Sequence, residues 1–231
     1  GVANIAIGHE ALKTEDTTGG NTAIGFRSLK NQNSSSSAYN VAIGYSALGT
    51  EDTGARSVAI GYAALGLQNY NGDAYNIAIG YSAGSEIVDG IQNVVIGGLA
   101  GDALTSGGYN VAIGYKALSA EDSGGKNVAI GWNAMGTLDA GGNGNNVSIG
   151  YNSSTAMTTS VASTIVGSEA GRAITTGNYN TALGYLALSS EDEGSNNVAI
   201  GYLALQDQDA GADAYNVAIG SSAGKEVTTG K

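Results

Sequence analysis

Hydrophobic residues recur along this chain in short contiguous bursts, each closed by a glycine. In Asn40-Val41-Ala42-Ile43-Gly44-Tyr45-Ser46-Ala47-Leu48 the burst is Val-Ala-Ile, and close variants of the same phrase return throughout the sequence. The closing glycine appears as Gly8, Gly25, Gly44, Gly61, Gly80, Gly97, Gly114, Gly131, Gly150, Gly167, Gly184, Gly201 and Gly220, always 17 or 19 residues apart. An amphipathic helix would need apolar residues at i, i+3, i+4 and i+7. Here they are adjacent and mostly β-branched, which suits a pleated surface. A fixed period of this kind marks a solenoid. The pattern therefore predicts an all-β protein, a parallel β-solenoid (β-roll) of thirteen 17- or 19-residue coils. No break in composition divides it, so residues 1–231 are read as a single repeat domain.

Each column of the repeat has its own composition. The residue before the glycine is Ile in eleven units, with Val166 and Leu183 as the exceptions, and the residue two places earlier is always β-branched. Between them stands Ala in ten units, and Asn opens eleven of the thirteen. A second, shorter strand is expected around Tyr-x-Ala-Leu. Strand alternation puts Val41 and Ile43 on one face and Asn40, Ala42 and Gly44 on the other. Stacked coils would set Ile on Ile and Asn on Asn about 4.8 Å apart, giving a rod about 60 Å long. An Asn column of this kind passes hydrogen bonds from coil to coil, and Asn and Gly tolerate the left-handed backbone of sharp corners.

The face carrying alanine and glycine has no charged residues. Apolar residues on both faces of a strand indicate burial on both. Ala42, Ala59, Ala78, Ala112, Ala129, Ala182, Ala199 and Ala218 are accordingly expected to form a chain interface in a homo-oligomer. The chain opens inside a unit, at Gly1-Val2-Ala3-Asn4, and closes in pattern at Thr229-Gly230-Lys231, so a segment of a longer fibre is expected.

Composition narrows the function. The 38 glycines lack the every-third-residue spacing of collagen, and there is no proline. Only 13% of residues are charged, against about 25% in ordinary globular proteins. Nine basic and twenty acidic residues give a net charge of −11, which argues against nucleic acid and against an anionic membrane surface. No stretch approaches the roughly 18 uninterrupted apolar residues of a membrane span. Cysteine is absent, so there is no disulfide framework.

Catalytic chemistry finds little support. A nucleophilic triad needs an activating base, and the only histidine, His9, stands in a column otherwise rich in tyrosine, as an aromatic spacer would. Zinc needs clustered His and Cys. The acidic pairs Glu51-Asp52, Glu121-Asp122 and Glu191-Asp192 lie 70 residues, or four coils, apart, with an earlier copy at Glu15-Asp16. That spacing separates successive pairs by nearly 20 Å at about 4.8 Å per coil, so they are read as solvated turn residues, not as a calcium site or a glycosidase couple. No enzyme activity, no metal and no cofactor are expected. The longer coils carry their extra residues in polar turns at Ser34 to Ser37, Asn71-Gly72-Asp73, Gly141 to Gly144 and Ala210 to Asp213.

The column after the glycine holds Tyr45, Tyr62, Tyr81, Tyr115, Trp132, Tyr151, Tyr185 and Tyr202, together with His9 and Phe26. These are candidate surface contacts. A solvent-facing aromatic track stacks on sugars, and a packing ladder at a coil corner explains the same regularity. Tyr39, Tyr75, Tyr109, Tyr179 and Tyr215 form a second such set.

Asn-Val-Ala-Ile-Gly-Tyr-x-Ala-Leu resembles the head repeat of YadA-type trimeric autotransporter adhesins. The longer strings Thr50-Glu51-Asp52-Thr53-Gly54-Ala55-Arg56-Ser57 and Ile96-Gly97-Gly98-Leu99-Ala100-Gly101-Asp102-Ala103-Leu104 are similar to fibre-like structural proteins of marine bacteriophages. The resemblance covers all thirteen units. It implies a left-handed β-roll, three identical chains side by side, and surface attachment to a host glycan or protein, in a virion tail fibre or a cell-surface appendage. The chain departs from the adhesin pattern in its longer coils and in the Leu, Met or Gly four residues after the glycine. A bacterial adhesin head and an ice-binding solenoid using a flat alanine face are the alternatives, with a polysaccharide-cleaving spike behind both.

Overall fold

The computed structural model describes residues 3–15, 19–34 and 36–229. Gly1, Val2, Asp16, Ser35, Gly230 and Lys231, which figure in the sequence reading, lie outside the described residues. Thirteen strands of three residues follow one another: β1 (Ile5–Ile7), β2 (Thr22–Ile24), β3 (Val41–Ile43), β4 (Val58–Ile60), β5 (Ile77–Ile79), β6 (Val94–Ile96), β7 (Val111–Ile113), β8 (Val128–Ile130), β9 (Val147–Ile149), β10 (Thr164–Val166), β11 (Thr181–Leu183), β12 (Val198–Ile200) and β13 (Val217–Ile219). They make one parallel sheet in sequence order. Column meets column throughout, as in Val41↔Val58, Ala42↔Ala59 and Ile43↔Ile60. Each strand is thus one rung of a β-solenoid, and among the described residues there is no helix.

The glycine column is fixed by contact with itself. Gly44 has φ 137°, and a Cβ there would stand 2.2 Å from the carbonyl oxygen of Gly61. No side chain fits between backbones that close.

The expected second strand at Tyr-x-Ala-Leu is absent; that segment is a turn. Ser46 (φ 52°) and Leu48 (φ 48°) both adopt the left-handed conformation, so the chain bends twice where a strand would run straight. The ladder survives without it. The Ser46 N–H donates to Phe26 O in the preceding coil at 2.9 Å, and the Leu48 N–H to Ala64 O in the following coil at 3.1 Å.

The facing of the strands corrects the interface expected from the sequence. Ala42, Ala59, Ala78, Ala112, Ala129, Ala182 and Ala199 are fully enclosed, and Ala218 nearly so. They point into the lumen of their own coil and cannot meet another chain. A coil of 17 residues encloses a narrow core, and small side chains at the strand centre are what that space admits. The β-branched and Ile columns instead point outward, half-buried along the rod and more exposed at its ends.

One further apolar side chain fills most coils, from either of two places. In many coils it is the Leu or Met four residues after the glycine, such as Leu48, Leu65 and Leu118, and the long coil of Met135 buries Leu138 at the second place as well. Where that residue is Gly, the side chain comes from three residues later: Gly84 with Ile87, Gly101 with Leu104, Gly171 with Ile174. The departures from the adhesin pattern at this position are therefore alternative ways to fill one volume.

The Asn column forms the expected ladder inside the coil. The Asn93 side-chain carbonyl accepts the backbone N–H of Asn110 at 2.9 Å, and Asn110 does the same for Asn127. Their amide groups donate to corner carbonyls fourteen residues on, Asn93 to Gly107 and Asn110 to Gly124. Buried polar groups must be paired in this way, since an unpaired one costs about 1–3 kcal/mol.

Candidate functional site

The outward face of the sheet is the largest ordered feature of the surface. Two aliphatic columns run along it, for example Val58, Ile77, Val94 and Val111 beside Ile60, Ile79, Ile96 and Ile113, in register from coil to coil. One flank carries the aromatic column that follows the glycine; the other carries Tyr39, Tyr75, Tyr109, Tyr179 and Tyr215, all exposed. The second tyrosines sit at left-handed corners, with φ between 53° and 63°. Arg56 lies between Tyr39 and Tyr75, 5.5 and 5.9 Å from their ring centres, and is held by Asp73 at 2.8 Å.

The candidate surface contacts are exposed, and they stack on one another. His9, Phe26, Tyr45, Tyr62 and Tyr81 form a continuous pile with centroid separations of 5.1 to 5.3 Å and interplanar angles of 9° to 13°. Tyr115, Trp132 and Tyr151 form a second pile, and Tyr185 with Tyr202 a third. His9 is thus one more ring in the column. Within a pile the faces are occupied, and solvent meets mainly ring edges and hydroxyls. The column is interrupted at Gly98 and Ser168.

The acidic pairs are placed differently from the sequence reading. Asp52 and Asp122 are exposed, but Glu51, Glu121 and Glu191 are completely buried. Each folds its carboxylate back onto its own turn: Glu51 accepts the Gly54 N–H, Glu121 the Gly124 N–H and Glu191 the Gly194 N–H, each at 2.7 Å. Gln68 and Gln208 donate to the second oxygens of Glu51 and Glu191 at 2.8 and 2.7 Å. Glu121 has Leu138 in the matching place and accepts only a 3.3 Å bond from the Ala140 N–H on that oxygen. Burial pushes the carboxyls of Glu51 and Glu121 above the ordinary glutamate range, against those hydrogen bonds. The glycine after each acid is required as well, since a Cβ at Gly124 would lie 2.3 Å from Glu121 Oε1. These glutamates are internal staples of the turn.

Acids do converge between adjacent coils, a closeness the four-coil spacing of the pairs did not reveal. Glu191, Asp192 and Asp209 bring carboxylate oxygens within 4.8 Å of one another, and the charge of Asp192 is the main cause of a raised Asp209 carboxyl. Glu10 is the opposite case. Hydrogen bonds from Lys13, Arg27 and Lys30 hold its carboxyl down at about 2.

The aliphatic columns are the surface that sequence reasoning missed. The signal was present in the parity of the strand: Asn shares a face with Ala, and an Asn ladder needs buried partners, so that shared face had to be the inner one.

No family model, curated protein or solved structure matches the chain.

Proposed function

We propose that this chain is a shaft segment of an extracellular fibre, either a virion tail fibre or a cell-surface appendage, built as a homo-oligomer and used for attachment. One observation carries the reading: the outward sheet face of a single chain presents two continuous aliphatic columns flanked by tyrosines. Contiguous exposed apolar surface on this scale marks an interaction site. An interface running the whole rod suits a second and third copy of the same rod, because the columns repeat at one spacing in every copy. Three chains is the number the adhesin-like motif implies.

The seam runs through Val, Ile and Thr, and not through alanine. Stiffness comes from the ladder hydrogen bonds and the Asn column, and many weak contacts along the rod add up to useful avidity. The low charge, 13% of residues, fits a repetitive structural role. The ice-binding alternative loses its basis, because the flat alanine face lies inside the coil.

Light scattering on the purified chain tests the reading, with a mass near three times 22.8 kDa expected. A stable monomer at micromolar concentration overturns it. Ile113→Lys combined with Ile130→Lys should dissociate the assembly without collapsing the coil, since both residues point outward.

A further inference from the structure

The aromatic column offers open ring faces at only a few places, and two of them are matched slots. At Gly98 and at Ser168 one ring is missing while the coil continues without interruption through β6 and β10. Tyr81 and Tyr115 flank Gly98 in the column, and Tyr151 and Tyr185 flank Ser168. Two coil steps separate each pair, about 10 Å. One ring inserted there would sit at the spacing the column already uses. The flanking rings are all exposed, Tyr81 at 59%, Tyr151 at 51%, and Tyr115 and Tyr185 at 45% each.

The two interrupted coils are of one kind. Both enlarge the strand centre, to Val95 and Ile165, and both place glycine four residues after the repeat glycine, at Gly101 and Gly171. They lie 70 residues apart, on the period of the buried glutamates. The omission of a ring therefore belongs to a repeated coil design, with the two slots about 19 Å apart along the rod at 4.8 Å per coil.

We infer that these slots bind the sugar rings of a glycan, one pyranose between Tyr81 and Tyr115 and another between Tyr151 and Tyr185. This deepens the attachment half of the proposal above. A pyranose presents apolar C–H groups on its two faces and hydroxyls around its rim. Each slot has apolar walls and a polar edge. Ser82 and Lys116 follow the ring positions at the first, and Lys116 Nζ stands 5.8 Å from the Tyr115 ring centre. At the second, Asn152 follows the Tyr151 ring and Leu186 the Tyr185 ring, while Glu169 follows the ringless Ser168 between them and pairs with Arg172 at 2.6 Å. Apolar walls with a few polar groups at the rim are the usual make-up of a small-molecule site.

A sister chain is a poorer occupant. In a parallel, rotationally symmetric assembly every chain has the same coil at the same height. The coils from Ile91 to Gly107 and from Val161 to Gly177 contain no aromatic residue, so a neighbour has no ring to insert at that level.

Saturation-transfer difference NMR tests this with the methyl glycosides of glucose, galactose, mannose and N-acetylglucosamine as probes. At least one probe should receive saturation at its ring C–H protons, and Gly98→Tyr with Ser168→Tyr should reduce that signal to background. Gly98 is not in the left-handed region, and a Cβ there meets only Tyr115, at 3.6 Å, so the filling residue is tolerated. Phe26→Tyr, inside an intact pile, should leave binding unchanged. If the filled variant lacks a cooperative unfolding transition, Tyr115→Ala with Tyr185→Ala, which removes one wall of each slot, is read in its place and should lose the same signal. Silence from all four probes, undiminished binding in the variants, or binding of 4-nitrophenol in place of the sugars overturns the inference. So does a change of assembly mass in the filled variant with sugar binding intact, which would make the slots a contact between copies. Mass is measured on the same samples: a trimer that binds no sugar removes the slots alone, and a sugar-binding monomer removes the assembly alone.

Discussion

Leu104 occupies the space that a side chain at Gly101 would need: its Cδ1 lies 2.9 Å from where a Cβ on Gly101 would stand. In the coil of Leu65 and Gln68 the assignment is reversed, with the apolar side chain at the earlier position and a polar one at the later. In these two coils one lumen volume is filled from either of two places. Gly101→Leu alone should overpack the coil and destabilise it by about 1–3 kcal/mol. Leu104→Gln alone should leave a void and a buried amide, at a cost of about 2–5 kcal/mol on the scale of large core truncations. The double substitution should cost clearly less than the sum, as thermal or urea unfolding of the four proteins will show. Strict additivity would mean that the two residues do not share a volume.

The Asn column predicts a stabilising change. The side-chain N–H groups of Asn127 and Asn197 have no partner. Both precede long coils, in which the corner fourteen residues on falls in the inserted turn at Gly141 and Gly211. Of the two other long coils, one opens with Asn21, whose amide donates to Glu15 Oε2 at 3.5 Å, and the other with Ser57; elsewhere Ser163 Oγ accepts the Asn180 N–H at 3.1 Å, so serine sustains the ladder. Asn127→Ser should therefore raise stability by about 1 kcal/mol, and Asn110→Ser, which loses a made bond to Gly124, should lower it by a similar amount. Equal effects of the two substitutions on the unfolding midpoint would contradict this account.

Stability should pass through a maximum on acidification. The buried Glu51 and Glu121 have folded-state carboxyls above the ordinary 4.5. The folded chain thus binds protons more readily than the unfolded one at these sites, and stability rises as pH falls from 7 through their folded pKa values, levelling off below about 4.5. Glu10 acts the other way: held at about 2, it contributes stability that is lost as pH falls from 4.5 toward 2. The midpoint of thermal unfolding should climb between pH 7 and pH 5 and fall below pH 4. A midpoint falling steadily from pH 7 would show the buried glutamates to be more comfortable ionised than protonated.

Charge relief should also be measurable at the converging acids. Asp209→Asn removes one member of the Glu191, Asp192 and Asp209 group. It should raise the unfolding midpoint most at low salt, because screening already weakens exposed repulsion at high salt. A midpoint unchanged at every ionic strength would mean that the three charges do not oppose the fold.

Much of the fold was legible in the sequence, because its strongest signal is repetition. Glycines at fixed intervals require stacked backbones, and the parallel register of Val41, Ala42 and Ile43 on Val58, Ala59 and Ile60 follows from the period. Facing was not legible from hydrophobicity. Isoleucine outranks alanine on any such scale, yet the narrow lumen takes Ala42 and turns Ile43 outward. The second strand failed for a related reason: tyrosine, alanine and leucine favour extension by type, while the left-handed residues that bend Ser46 and Leu48 are ones local propensity does not single out. The buried glutamates were hidden because a charged residue beside glycine in a polar turn ordinarily faces water, and only the backbone N–H three residues on makes burial tolerable. The regularity of the aromatic column and its two interruptions, at Gly98 and Ser168, are both present in the sequence; the stacking of the rings into separate piles is what the structure adds.

Cysteine accessibility tests the assembly most directly, since the chain has no cysteine of its own. Single substitutions at Ile60, Ile113 and Ile200, spread along the outward column, would be labelled with a maleimide in the native protein, beside a reference cysteine at the exposed Lys116. If the aliphatic columns are the seam between chains, the three column cysteines react only after the assembly is dissociated, while the reference reacts at once. Labelling of all four at the same rate in the native state would contradict the account.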